Sequence, residues 1–145
     1  MSEKPKHINI TLPVYYTQTF KTKPDKKIFV AMNWWRNCHY HIKNEVKQWF
    51  NTETLKQLTA QDAKPIKGPY ETAFVYYYKT ATTDLGNVCA LASKHVNDSF
   101  QSYGLVENDN VKFCRKEAYY VGEQDKDNPR VEIFVRPWVE KEQDD

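Results

Sequence analysis

Regular patterning begins at Ile8-Asn9-Ile10-Thr11-Leu12, where apolar and polar residues alternate up to Pro13 with the period of a half-buried strand. Tyr15 to Gln18 follow, and Lys21, Lys23, Lys26 and Lys27 gather around Pro24-Asp25, which reads as a basic loop with aromatic residues beside it. From Asn33 the period changes. Trp35, Cys38, Ile42, Val46, Trp49 and Phe50 recur at steps of three and four, so an amphipathic helix is expected, capped by Asn33, with Arg36, Lys43 and Lys47 elsewhere on its surface. A polar linker then ends in Pro65-Ile66-Lys67-Gly68-Pro69, and the run Tyr70 to Tyr78, dense in residues that suit a pleated surface, predicts a central strand.

A polar turn, Thr80-Ala81-Thr82-Thr83, delivers Asp84 to a second helix expected from near Asn87 to Tyr103, where Gly104 stops it. On a helical wheel Val88, Ala92, Val96, Ser99, Phe100 and Tyr103 form the core face, and Asn87, Lys94 and Asp98 form a polar row opposite. Leu105 to Asn110 is a loop carrying Glu107 and Asp109. Val111 to Val121 and Arg130 to Val135 read as two strands separated by the turn-forming segment Gly122 to Pro129. The order β-α-β-α-β-β predicts an α+β fold, a mixed sheet with two main helices packed on it. At 145 residues one core suffices: one domain is expected over 1–137, followed by a polar, acidic tail at 138–145 that is free to fray.

Charge changes the picture once it is divided by position. Residues 1–79 hold 13 Lys/Arg against 6 Asp/Glu, a balance of +7, and residues 80–145 hold 8 against 13, a balance of −5, so the bland total of +2 conceals two opposite halves. The basic half suits a polyanion, and the acidic half has carboxylates enough for a divalent cation. With 40% hydrophobic and 28% charged residues the composition excludes a disordered or collagen-like chain. No apolar run reaches the roughly 18 residues of a membrane helix, and Met1 to Lys6 lack the apolar stretch of a secretory signal, so a soluble intracellular protein is expected. Cys38, Cys89 and Cys114 are odd in number and widely spaced, which predicts buried free thiols. His39 and His41, two apart on a helix, would point to different sides and make no zinc site with Cys38.

The chemistry-bearing feature is the pair of acids flanking the second helix. Asp84 and Asp109 are candidates to hold Mg²⁺, with Mn²⁺ as the substitute, through hard oxygen ligands, and Lys94 is a candidate to stabilise charge on a scissile phosphate. Asp98 is either a further ligand or the i,i+4 salt-bridge partner of Lys94. Geometry objects. A helix of about 17 residues spans roughly 25 Å, so Asp84 and Asp109 meet at one metal only if the loop after Gly104 folds back or the two ends meet across a symmetric dimer. Lys21, Lys23, Lys26, Lys27, Arg36, Lys43, Lys47 and Asn87 are the candidate DNA contacts, and Tyr15, Tyr16 and Phe20 the candidates to stack on opened bases.

The series Ile10-Thr11-Leu12-Pro13, Asp84-Leu85-Gly86-Asn87, Lys94 and Asp98, Tyr103-Gly104-Leu105-Val106-Glu107-Asn108-Asp109-Asn110-Val111 and Val131-Glu132-Ile133-Phe134-Val135 resembles the RusA-like Holliday-junction resolvases, mostly phage and prophage endonucleases. The resemblance runs from about Ile8 to Val135. It implies a small α+β homodimer in a bacterial cytoplasm that uses Mg²⁺ to make paired cuts in four-way DNA junctions. It places Asp84 and Asp109 among the metal-binding acids and Lys94 as the catalytic lysine. The family reads Asp-x-Asp-Asn at the helix head, and here the second acid is Gly86; the interval from Asn87 to Lys94 is also about one helical turn longer. Either Asp98, Glu107 or Asn87 completes the metal site, or the protein binds junctions with weakened or absent cleavage.

Overall fold

In the computed structural model, which describes residues 7–140, four strands form one mixed sheet: β1 (Ile8–Pro13), β4 (Tyr70–Tyr77), β5 (Cys114–Val121) and β6 (Arg130–Pro137), in the order β1-β6-β4-β5. The fold is α+β. β4 is central, as its composition predicts, antiparallel to β6 and parallel to β5. A parallel pair needs a crossover, and the helix α3 (Leu85–Tyr103) supplies it between β4 and β5. Alternation sorts the faces. Tyr70, Thr72, Phe74 and Tyr76 of β4, Ile10 and Leu12 of β1, and Val131, Ile133 and Val135 of β6 are all buried, with α3 packed on β4 and β5, and α2 (Tyr40–Ala60) packed on α3 and β1.

The first basic segment is a loop only over residues 19–25, between two strands. Tyr15–Gln18 (β2) and Lys26–Phe29 (β3) pair as an antiparallel hairpin with Tyr15 opposite Phe29 and Gln18 opposite Lys26. Thr17, Gln18 and the lysines mask it in the sequence, but Val14, Ile28 and Val30 are buried and anchor it.

The first predicted helix is two helices, α1 (Met32–Asn37) and α2, broken at Cys38 and His39, both of which are extended. Here side chains compete with the helical ladder. Asn37 Nδ2 donates to Asn33 O at 2.9 Å and Cys38 Sγ to Trp35 O at 3.4 Å, and the His39 ring accepts from His41 N as the cap of a new helix. Asn33 is therefore inside α1, whose N-cap is Ala31. α2 also runs ten residues beyond Phe50 into the predicted linker, because Val46, Phe50, Thr54 and Leu58 continue one buried stripe, and the Thr54 hydroxyl satisfies itself on Phe50 O at 2.7 Å.

α3 begins at Leu85, two residues before the expected start near Asn87, and Asp84 caps it: its carboxylate accepts from Gly86 N at 3.0 Å, and Gly104 closes the other end at φ 87°. β5 begins at Cys114, three residues later than the pattern indicates, because Phe113 N and Cys114 N bond back to Asn110 O in a turn. Trp138 does not fray, since its backbone N donates to Pro69 O at 2.9 Å; residues 141–145 of the predicted tail, like 1–6, lie outside the described residues. No helix among the described residues is long and apolar enough to cross a membrane.

The outer edge of β1 is closed by two glutamines of α2. Gln57 accepts from Thr11 N at 2.7 Å and donates to Thr11 O at 2.8 Å; Gln61 does the same to Asn9 at 3.1 and 2.6 Å. Four helical residues advance about 6 Å and two strand residues about 6.8 Å, so the amides stand where a neighbouring strand would. This removes a pairing edge. Gln57→Ala loses two bonds, and urea unfolding is expected to show it destabilised by about 2 kcal/mol, with a new tendency to self-associate that light scattering reads.

Candidate functional site

The described structure divides the predicted site residues between two ends of the sheet. At one end β4 finishes at Tyr77 and the turn leads to Asp84, which is exposed at the head of α3. At the other, the loop after Gly104 is anchored by buried Leu105 and Val106, with Ile66 N bonded to Leu105 O at 2.7 Å, and carries Glu107 and Asp109, both exposed, toward the start of β5. β5 begins beside Tyr70, the first residue of β4. α3 has 19 residues, so its ends are about 28 Å apart, and the loop does not fold back along it. Among the described residues no three His, Cys, Asp or Glu side chains are grouped to hold a metal ion, so Asp84, Asp98, Glu107 and Asp109 do not form one site within a chain.

Lys94 and Asp98 are exposed on a helix otherwise largely buried, as the wheel predicts. They are not an ion pair: among the described residues the pairs are Lys64 with Asp62, Arg130 with Asp125 and Glu132, and Arg136 with Glu71. Asp98 instead lines a groove between α2 and α3 with Lys47. Asn87 is occupied. Its side-chain oxygen accepts from Asn33 N at 2.8 Å and ties the first turn of α3 to α1. At Gly86 a Cβ would meet only Asp84 Oδ1, at 3.7 Å, so an acid fits there without moving the backbone.

The Asp109 end holds an acid that the pattern does not single out. Glu117 of β5 accepts from Ser93 Oγ at 2.6 Å and from Tyr119 OH at 2.7 Å. Ser93 in turn receives Asn97 Nδ2 at 3.2 Å, and Asn97 accepts from Tyr70 OH at 3.0 Å, a network that pins α3 to β4 and β5. Burial first, then the charges of Cys114, Asp109 and Glu117, pushes the Tyr70 phenol far above its ordinary range. Burial and Glu117 raise the Cys89 thiol to about 12, so it is inert as a nucleophile at neutral pH. Cys89 is buried, as expected, but Cys38 and Cys114 are only half-buried; all three are free. The sequence signal for Glu117 is its parity with Tyr119, which packs edge-on against Phe74.

The basic surface forms as a surface. Lys21, Lys23, Lys26, Lys27, Arg36 and Lys47 are exposed, and Lys43 is half-buried with its ammonium 5.5 Å from the centre of the Trp35 ring. None of them enters an ion pair among the described residues. The predicted stacking rings are largely engaged: Tyr15 lies on Phe29, Phe20 lies under Lys23, and Tyr16 packs on Trp49 with its hydroxyl on Glu45; burial, then that contact, raises the Tyr16 phenol to about 12. Lys26 and Asn33 line one groove. Since Asn87 holds Asn33 N, the cationic hairpin and the Asp84 end of α3 belong to one continuous region. No protein-family model and no curated protein matches this chain.

Proposed function

We propose that the protein is a Mg²⁺-dependent, structure-selective endonuclease for four-way or related branched DNA, working as a homodimer. The observation that carries the reading is the link from Lys26 and Asn33, which line one groove, through the Asn33–Asn87 hydrogen bond to the helix head where Asp84 is exposed, because it connects cations without an ion-pair partner among the described residues to a carboxylate. Lysines there hold phosphates without reading bases. Asp84, Asp98, Glu107 and Asp109 of one chain are not grouped around one cation, so the reading requires two copies, with the Asp84 end of one meeting the Asp109 end of the other. Bound there, the cation would supply a polarised phosphate oxygen and an activated water. The chain's own part is to present Asp84 and Asp109 to the cation and to hold the DNA backbone on the hairpin.

The separation of the acids within one chain favours a second reading, a junction-binding protein that does not cut. A labelled four-way junction incubated with protein in Mg²⁺ and in EDTA decides between them. Nicks confined to Mg²⁺ are the expected result, and binding without nicks would establish the second reading. In the same binding assay Lys26→Ala with Lys27→Ala is expected to weaken binding to every DNA and to flatten the log–log salt dependence by about two, the slope of two lost phosphate contacts.

A further inference from the structure

The most exposed aromatic group of the basic half has no part in the site described above. His39, Tyr40 and His41 lie ring on ring: His39 to His41 at 4.8 Å and 27°, Tyr40 to His41 at 4.0 Å, Tyr40 to His39 at 4.7 Å. The helix break builds this stack. His39 is extended at the cap, so its imidazole turns back over His41 instead of pointing to another side, contrary to the expectation from an unbroken helix. Tyr40 is 61% exposed, so core packing does not account for it. Beside the stack runs a groove of about 570 Å³ that His39 shares with Trp34, Asn37 and Lys26.

We propose that this groove and its ring stack seat an unpaired nucleotide of a DNA strand, a role that rests on the DNA-binding reading above and narrows its substrate to branches with opened bases. An unpaired base has a bare π-face, which the exposed Tyr40 ring beside the groove can cover, and its phosphate carries the charge opposite to that of Lys26, which has no ion-pair partner among the described residues. Trp34 gives the groove an aromatic wall, and Asn37 adds a polar side chain to its lining. In a duplex each base face is covered by its neighbour. The seat therefore separates opened from fully paired DNA, which the lysines alone do not do.

Fluorescence anisotropy in EDTA, where nothing is cut, tests this with a blunt duplex, a fully paired junction and the same junction carrying unpaired nucleotides at its branch. Wild-type protein is expected to bind the last most tightly. Tyr40→Ala should weaken that binding about tenfold, within the range of one lost base stack, while Tyr40→Phe keeps it and duplex binding hardly changes. Equal losses on all three probes, or none on the opened junction, would overturn the seat while leaving DNA binding intact. Failure of the wild-type protein to bind any probe overturns the DNA-binding reading itself, and tighter binding to a single RNA strand than to the opened junction overturns the assignment to DNA. Unchanged thermal unfolding of Tyr40→Ala, expected for so exposed a side chain, confirms that the loss is one of contact.

Discussion

Equal amounts of Asp84→Asn and Asp109→Asn protein, each inactive alone, are expected to regain about a quarter of wild-type junction cleavage when mixed and allowed to exchange subunits. The figure follows from the topology. Asp84 follows the end of β4 and Asp109 precedes the start of β5, which lies beside the beginning of β4, so one chain presents them at opposite ends of α3. If each site takes Asp84 from one copy and Asp109 from the other, a mixed dimer has one site with both changes and one with neither. About half the dimers are mixed after random exchange, and each of these has one intact site of two. A site built within one chain behaves differently, since every site in the mixture then keeps one defect. Cleavage at the background of the separate variants would therefore sink the two-copy arrangement. Each single change should cost a factor of about 100 or more if the carboxylate ligates the cation, because hard-cation sites depend on charged oxygen ligands. The lysine hairpin is untouched in both variants, so their junction affinity in EDTA should stay at the wild-type level.

Much of this fold is legible in the residues, and the misreadings share a cause. β1, β6 and α3 lie where alternation or a three-to-four step places them, and β4 where its composition does, because one face of each is largely apolar and has only one way to be buried. The hairpin Tyr15–Gln18 and Lys26–Phe29 escapes because it buries little beyond Val14, Ile28 and Val30 while lysines dominate its composition. The break at Cys38 and His39 escapes because a stripe of apolar residues is blind to side chains that bond the backbone. The candidate site divides in the same way. That Asp84 caps a helix and that Lys94 and Asp98 are exposed follow from position on that helix; that Asp98 ignores Lys94, that Asn87 serves Asn33 and that Glu117 is held by Ser93 and Tyr119 are tertiary facts. Local spacing sets which residues share a face, and the partner across the face sets what each one does.

Between pH 7.5 and pH 4.5 the protein is expected to lose on the order of 2.5 kcal/mol of stability through His95 alone. His95 is 3% exposed, stacked on Phe50 at 4.6 Å and edge-on to Trp35 at 4.6 Å, and its Nε2 has no hydrogen-bond partner among the described residues. Burial, reinforced by Lys94 beside it and Lys47 across the groove, which Asp98 also lines, pulls its pKa down to about 4. In the unfolded chain the ring titrates near the ordinary value of about 6.5. Within that interval the unfolded chain binds a proton that the folded chain refuses, so stability is full above the upper value and falls as pH drops toward the lower one. A neutral ring between two aromatic faces behaves as an apolar filler, and Leu fills a similar volume without a nitrogen to satisfy. His95→Leu should therefore be as stable as wild type or more so at pH 4.5, and its urea midpoint should change by far less between the two pH values. Equal pH dependence in the two proteins would assign the acid sensitivity to other groups. Since Phe50 and Trp35 belong to the two helices that the break at Cys38 separates, protonating His95 is expected to loosen the junction of α1, α2 and α3, beside which the groove next to the hairpin lies.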